Sequence, residues 1–157
     1  MAAVRGRETC LTVLPVLLFP DAMIEIQCLS VDCHDPYALA QWWSEATGWP
    51  LADSEPGDDE VMLEPPAGAR HQVPLLFTRV PEGKTVKNRL HLDVNATDGR
   101  SRDEEVERLL GLGAKPYEDH RNPDGTGWMT LLDPEGNEFC VCRSEAERAA
   151  AAPARPS

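Results

Sequence analysis

The chain says nearly the same thing twice. Leu29-Ser30-Val31, Asp35, an amphipathic stretch and Gly48-Trp49-Pro50 in the first half are answered by Leu92-Asp93-Val94, Asp98, a second amphipathic stretch and Gly113-Ala114-Lys115-Pro116. Leu29 to Leu92, Val31 to Val94 and Asp35 to Asp98 share one offset of 63 residues. Gly48 to Gly113 is 65 and Glu64-Pro65 to Asp133-Pro134 is 69, a drift that loop insertions between matching elements produce. The pattern predicts two copies of one supersecondary unit, each a strand, a helix and further strands. Two such units in one chain can enclose a site between them.

The local signals agree unit by unit. Residues 24–32 alternate as a half-buried strand does. Asp35-Pro36 opens a helix, Asp as N-cap and Pro in the first turn. Tyr37, Leu39, Ala40, Trp43 and Ala46 give it one apolar stripe, and Gly48 ends it. Strands are predicted at 49–52, 61–63 and 73–80. After a connector at 81–86, a strand is predicted at 88–95. Ser101 with Glu104 three residues on forms a capping box. Val106, Leu109 and Leu110 face one way on the helix that follows, with Gly113 at its end. Strands follow at 115–118, 128–132 and 137–142. Both units read βαβββ.

Charge narrows the possible partners. The chain has 157 residues, one domain by size, and a net charge of −12. Nucleic-acid binders need clustered Lys and Arg, so no nucleic acid is expected, and no anionic membrane surface either. The five cysteines (Cys10, Cys28, Cys33, Cys140, Cys142) are odd in number and form no CxxC, which fits reduced thiols in a cytoplasm.

The ends stand apart from the repeat. Residues 1–22 resemble a short signal peptide, with Arg5, Arg7 and an apolar run from Leu11. Glu8 intrudes, Pro15 interrupts, and no small-x-small cleavage site follows. They are expected to be an extension dispensable for folding, with Met23 as an alternative start. Residues 23–143 are expected to be the domain, in modules 23–80 and 87–143. The Ala- and Pro-containing residues 144–157 read as a disordered tail.

Val31-Asp32-Cys33-His34-Asp35-Pro36, Leu39-Ala40-Gln41-Trp42-Trp43 and Gly48-Trp49 resemble the first unit of glyoxalase-like proteins of the vicinal-oxygen-chelate (glyoxalase/bleomycin-resistance/dioxygenase) superfamily. Asn88-Arg89-Leu90-His91-Leu92-Asp93-Val94, Leu112-Gly113-Ala114 and the run Leu132-Asp133-Pro134-Glu135-Gly136-Asn137-Glu138-Phe139-Cys140-Val141 resemble its second unit. The resemblance implies an α+β fold: two βαβββ modules forming a curled mixed sheet around a cup, helices on the outer faces. It also implies that a homodimer is an option.

Strand alternation then populates the cup. Leu29, Val31, Leu92, Val94, Phe139 and Val141 should pack under the helices. Cys28, Ser30, Arg89, His91, Asp93, Glu138, Cys140 and Cys142 should face the other way. Cys28 and His91, 63 residues apart, should be equivalent and share one cup. By the resemblance, metal ligands in relatives fall near Cys28, Phe77, His91 and Cys140, of which only His91 is a standard match. Cys28, His91 and Cys140 are the zinc-competent set; the metals usual in relatives see His and carboxylate. The reading is therefore a small molecule bound in the cup by His91, Cys28, Glu138, Cys140 and Arg89 without a cofactor. The alternative is a metal-dependent lyase, isomerase or dioxygenase using a divalent metal. Cys28 and Cys140 also read as small buried hydrophobes, and His91 as a core histidine.

Overall fold

The computed structural model describes residue 24, residues 26–70 and residues 73–151. Expectations for residues 1–22 and 152–157, and for His71, lie outside the described residues.

The first module contains β1 (Leu29–Cys33), α1 (Pro36–Thr47), β2 (Glu60–Leu63) and β3 (Leu75–Arg79). The second contains β4 (Leu92–Val94), α2 (Arg102–Gly111), β5 (Lys115–Asp119), β6 (Met129–Leu132) and β7 (Glu138–Val141), and is followed by α3 (Glu145–Ala151). The protein is α+β, with one sheet ordered β1-β3-β2 and another ordered β4-β7-β6-β5. Both are mixed: β1 runs parallel to β3 and β4 parallel to β7, while the remaining pairs are antiparallel. The sheets curl without closing, and β1 and β4 each have an open edge.

The repeat holds in the hydrogen-bond register. Leu29 and Val31 sit opposite Leu75 and Phe77. Leu92 and Val94, 63 residues later, sit opposite Phe139 and Val141. Both strand–helix turns are capped as the sequence predicts. Ala38 N donates to Asp35 Oδ1 at 3.1 Å, and Glu104 N and Ser101 N complete the Ser101–Glu104 capping box.

Four elements differ from the sequence reading. The first strand starts at Leu29, not residue 24, because its partner β3 begins only at Leu75. The first bond across is Leu29 N to Pro74 O, and Ile24 and Ile26 are exposed. The strand expected at 88–95 shrinks to Leu92–Val94 because Glu138 takes the Asn88 amide out of the ladder. The strand expected at 49–52 is one bridge, Leu51 to Leu63, next to a proline that has no N–H to donate. Residues 145–151 of the expected tail form α3 instead. Its start is a second capping box, Ser144-x-x-Glu147, with Ser144 N to Glu147 Oε2 at 2.8 Å and Glu147 N to Ser144 Oγ at 3.3 Å. Glu147 also accepts Arg102 N at 2.8 Å, which docks α3 on the first turn of α2. No helix among the described residues is long and apolar enough to cross a membrane.

One core serves both modules. Phe77, Leu39 and Leu63 from the first and Phe139, Leu109 and Leu131 from the second are fully buried in a single cluster. Helix α1 bridges them. Trp42 and Trp43 pack edge-on against each other and against Phe139, with ring centroids 5.1 to 5.8 Å apart. Arg108 of α2 donates to the last carbonyls of α1, Glu45 O at 3.3 Å and Ala46 O at 2.6 Å, a cation where the helix dipole favours one.

The β5–β6 loop provides a backbone test. Gly127 has φ +87°, and a Cβ there would lie 1.9 Å from the carbonyl oxygen of His120. Gly127→Ala should therefore cost roughly 1–2 kcal/mol. An unchanged urea midpoint would show that the loop relaxes freely.

Candidate functional site

The loop from β6 to β7, Asp133-Pro134-Glu135-Gly136-Asn137, joins the modules at the site. Asp133 is 1% exposed. Its Oδ1 accepts Glu135 N at 3.0 Å and Asn137 N at 2.9 Å, and its Oδ2 accepts Asn137 Nδ2 at 3.0 Å and Trp43 Nε1 at 3.3 Å. Burial pushes its carboxyl upward, and these donors, led by Asn137, offset part of that. Glu135 reaches into the other module and accepts His34 N at 2.8 Å and Asp35 N at 2.9 Å. Two carboxylates, Asp35 and Glu135, thus meet the amides where α1 begins. The turn motif showed in the sequence; its partners across the module boundary did not.

Next to this turn lies a cleft of about 770 Å³. The first module lines it with β1 and Trp43, the second with Asp133, Glu135, Asn137, Glu138 and Phe139, and the connector with residues 82–84 and 88–91. A concave site between two modules with convergent polar groups suits a small molecule.

The structure gathers most of the expected site residues here. Arg89, His91 and Glu138 line the cleft. Among the described residues, Arg89 is exposed and has no carboxylate partner. His91 is exposed, with Nδ1 3.8 Å from Cys140 Sγ. Cys140 is buried, and its sulfur also lies 3.7 Å from Thr130 Oγ1. Burial, with the nearby Asp93 charge, pushes the Cys140 thiol up, so it is protonated at neutral pH. Cys28 is half-buried, is not part of the cleft lining, and directs its sulfur to Ser30 Oγ at 3.9 Å. Phe77 is wholly buried in the core.

This donor set does not fit a divalent metal. His91 and Cys140 are adjacent, but Cys28 does not join them. Among the described residues no three His, Cys, Asp or Glu side chains converge as a metal needs.

Glu138 is the committed carboxylate of the cleft. It is 5% exposed, accepts Asn88 N at 3.0 Å and pairs with Lys84 Nζ at 2.9 Å. Burial alone would raise its carboxyl, but the Asn88 amide and the Lys84 ammonium outweigh that and hold it below its ordinary 4.5. A depressed carboxyl stabilises the fold above its unfolded value and loses that contribution as pH falls through the folded one. The stability gap between wild type and Glu138→Gln should therefore be full near pH 7 and shrink below about pH 4. Urea midpoints across that range check it, and a gap independent of pH would mean Glu138 is not ionised in the fold.

Comparison with known proteins agrees with this architecture. The glyoxalase-like domain family matches residues 28–142. No curated protein matches the chain. Among solved structures, the fosfomycin resistance protein FosX from Listeria monocytogenes, complexed with Mn(II) and 1S,2S-dihydroxypropylphosphonic acid, is similar at 13% identity and TM-score 0.59, over 83% of this chain and 98% of its own. A glyoxalase/bleomycin resistance protein/dioxygenase family enzyme from Burkholderia phytofirmans PsJN is similar at 18% identity and TM-score 0.56, over 74% of this chain and 96% of its own. A possible glyoxalase from Bacillus cereus is similar at 16% identity and TM-score 0.55, over 77% and 99%. At these identities the likeness is one of fold. The family match spans most of the chain, and the paired modules, their parallel first and last strands and the Asp133 turn agree with it: the chain belongs to the glyoxalase-like domain family of the vicinal-oxygen-chelate superfamily.

Proposed function

We propose that the protein binds a small molecule in the cleft between its modules, without metal chemistry. The observation that carries this reading is that two exposed polar groups, Arg89 and His91, line one cleft between the modules and neither pairs with a carboxylate among the described residues. An arginine without a carboxylate partner in so acidic a chain is free to take a polar group of a ligand. The imidazole serves as donor or acceptor near neutral pH. The remaining carboxylates at the turn are spent on the fold: Glu138 on Lys84 and Asn88, Glu135 on the start of α1, Asp133 on four donors.

A thermal-shift screen of small molecules tests the proposal. A ligand at 100 times its Kd stabilises the native state by about 2.7 kcal/mol. Arg89→Ala should remove most of that stabilisation while leaving the unliganded midpoint unchanged, since Arg89 is exposed and pairs with no carboxylate among the described residues. A ligand whose effect survives Arg89→Ala binds elsewhere.

The competing reading is a metal-dependent lyase, isomerase or dioxygenase. Its support is that His91 is the family-typical ligand type and that FosX from Listeria binds Mn(II) in its structure. Elemental analysis of untagged protein separates the two: the binding reading expects substoichiometric metal, and one equivalent of a divalent metal would overturn it. The proposal extends to a cytoplasmic location, supported by the free thiols of Cys28, Cys33, Cys140 and Cys142, and to a homodimer, which sedimentation velocity decides.

A further inference from the structure

We propose that the connector between the modules, residues 82–90, is a lid on the open face of the four-stranded sheet, and that Glu138 is the positioning residue that latches it. Phe139, Val141, Leu131 and Met129 turn one face of that sheet into the core. Strand alternation places Glu138, Cys140 and Thr130 on the other face. The register lines up Asp93, Cys140, Thr130 and Glu118 as one row across all four strands. This is the face that the βαβββ repeat offers to a ligand, yet Glu138, Cys140 and Thr130 are 5%, 6% and 2% exposed.

The connector crosses this face, with contacts at Glu138 and at Glu118. Lys84 and Asn88 both reach the Glu138 carboxylate, and Asn88 Nδ2 donates to Glu138 O at 3.4 Å. Lys87 pairs with Glu118 at 3.7 Å, at the far end of the row. His91, where the connector ends, lies against Cys140. Its outward side chains Val86 and Leu90 are 74% and 81% exposed, so nothing among the described residues covers it in turn. No backbone–backbone bond among the described residues ties residues 82–90 to a sheet. Contacts that each involve at least one side chain hold the segment, and three of them converge on Glu138. A segment held in this way opens at little cost compared with the sheet beneath it. The lid regulates access to the site proposed above and has its use only if that reading holds. Opening it would uncover the buried Glu138 and Cys140 and release Arg89 and His91 to move with it.

Site-resolved thiol labelling tests the latch without any ligand, so a failed ligand search leaves its outcome standing. N-ethylmaleimide is applied to wild type, Glu138→Gln, Lys84→Met and the double variant, and labelling of Cys140 and Cys33 is followed by peptide mass mapping. Cys33, 2% exposed with its thiol donating to Thr78 O, belongs to the three-stranded sheet and reports opening of that sheet instead of the connector. Loss of one charge-assisted bond should raise the Cys140 rate about tenfold in each single variant. Cys33 should stay unlabelled, and the double variant should add little to either single. Amide exchange at Asn88 should quicken in parallel. Unchanged Cys140 labelling in both single variants, or Cys140 and Cys33 rising together in Lys84→Met, overturns the proposal. Lys84 lies on the connector, outside the core, so that variant stays informative even if Glu138→Gln misfolds.

Discussion

Trp43→Ala is expected to lower the stability of the whole domain by about 3–5 kcal/mol, the range for deleting a fully buried aromatic. Trp43 is 4% exposed and belongs to helix α1 of the first module, but it packs on Phe139 of the second at 5.2 Å. Its Nε1 also donates to the buried Asp133 carboxylate. Removal would leave a cavity in the shared core and take one donor from a carboxylate that burial already disfavours. Trp43→Phe keeps most of the packing and loses only the donor, so it should cost about 1–2 kcal/mol. Chemical denaturation followed by far-ultraviolet circular dichroism checks both. A loss under about 1 kcal/mol for the alanine variant would mean that the modules do not share a core.

Arg102→Ala is expected to cost about 2–3 kcal/mol, although no pattern in the sequence marks Arg102. Arg102 is 5% exposed. Nη1 donates to three carbonyls of the β5–β6 loop, Gly125 O at 3.3 Å, Thr126 O at 3.1 Å and Gly127 O at 3.1 Å. Nε donates to Asp103 at 2.9 Å. Without the guanidinium Gly125 O and Gly127 O lose this donor, Thr126 O keeps only Asn122 N, and the loop that carries Gly127 loses its anchor to α2. Arg102→Lys should recover little, because one ammonium cannot span the loop and Asp103 as the planar fork does. A thermal melt identical to wild type for Arg102→Ala would show that the loop is held by other groups.

What the sequence reveals and what it conceals divide along one physical line. Local signals were legible. Asp35-Pro36, Gly48, the Ser101–Glu104 box and the alternation of Phe139 and Val141 with Glu138 and Cys140 act over one turn or one strand, and the structure contains them all. The Ser144–Glu147 box was equally local, but the alanines and prolines around it read as a tail. Contacts between distant segments were not legible. Nothing near Glu135 says that it accepts the amides of His34 and Asp35, 101 and 100 residues away. Nothing near Glu138 marks Lys84 and Asn88 as its partners. The site divides in the same way. Repeat offset and alternation pointed to His91, Arg89 and Cys140, whereas the commitment of Glu138 to the connector depends on a fold that brings residue 84 to residue 138.

The measurement closest to the central claim is an isothermal titration of wild type and His91→Ala with the strongest stabiliser found in the thermal-shift screen, paired with a denaturation curve for each protein. His91 is exposed in the cleft, and among the described residues its side chain makes one weak hydrogen-bonding contact, with Cys140, so the fold should not depend on it. The account predicts that His91→Ala weakens binding by at least about 1 kcal/mol, roughly fivefold in Kd, with stability nearly unchanged. Unchanged affinity together with a large loss of stability would make His91 a structural residue and contradict a ligand site built around it.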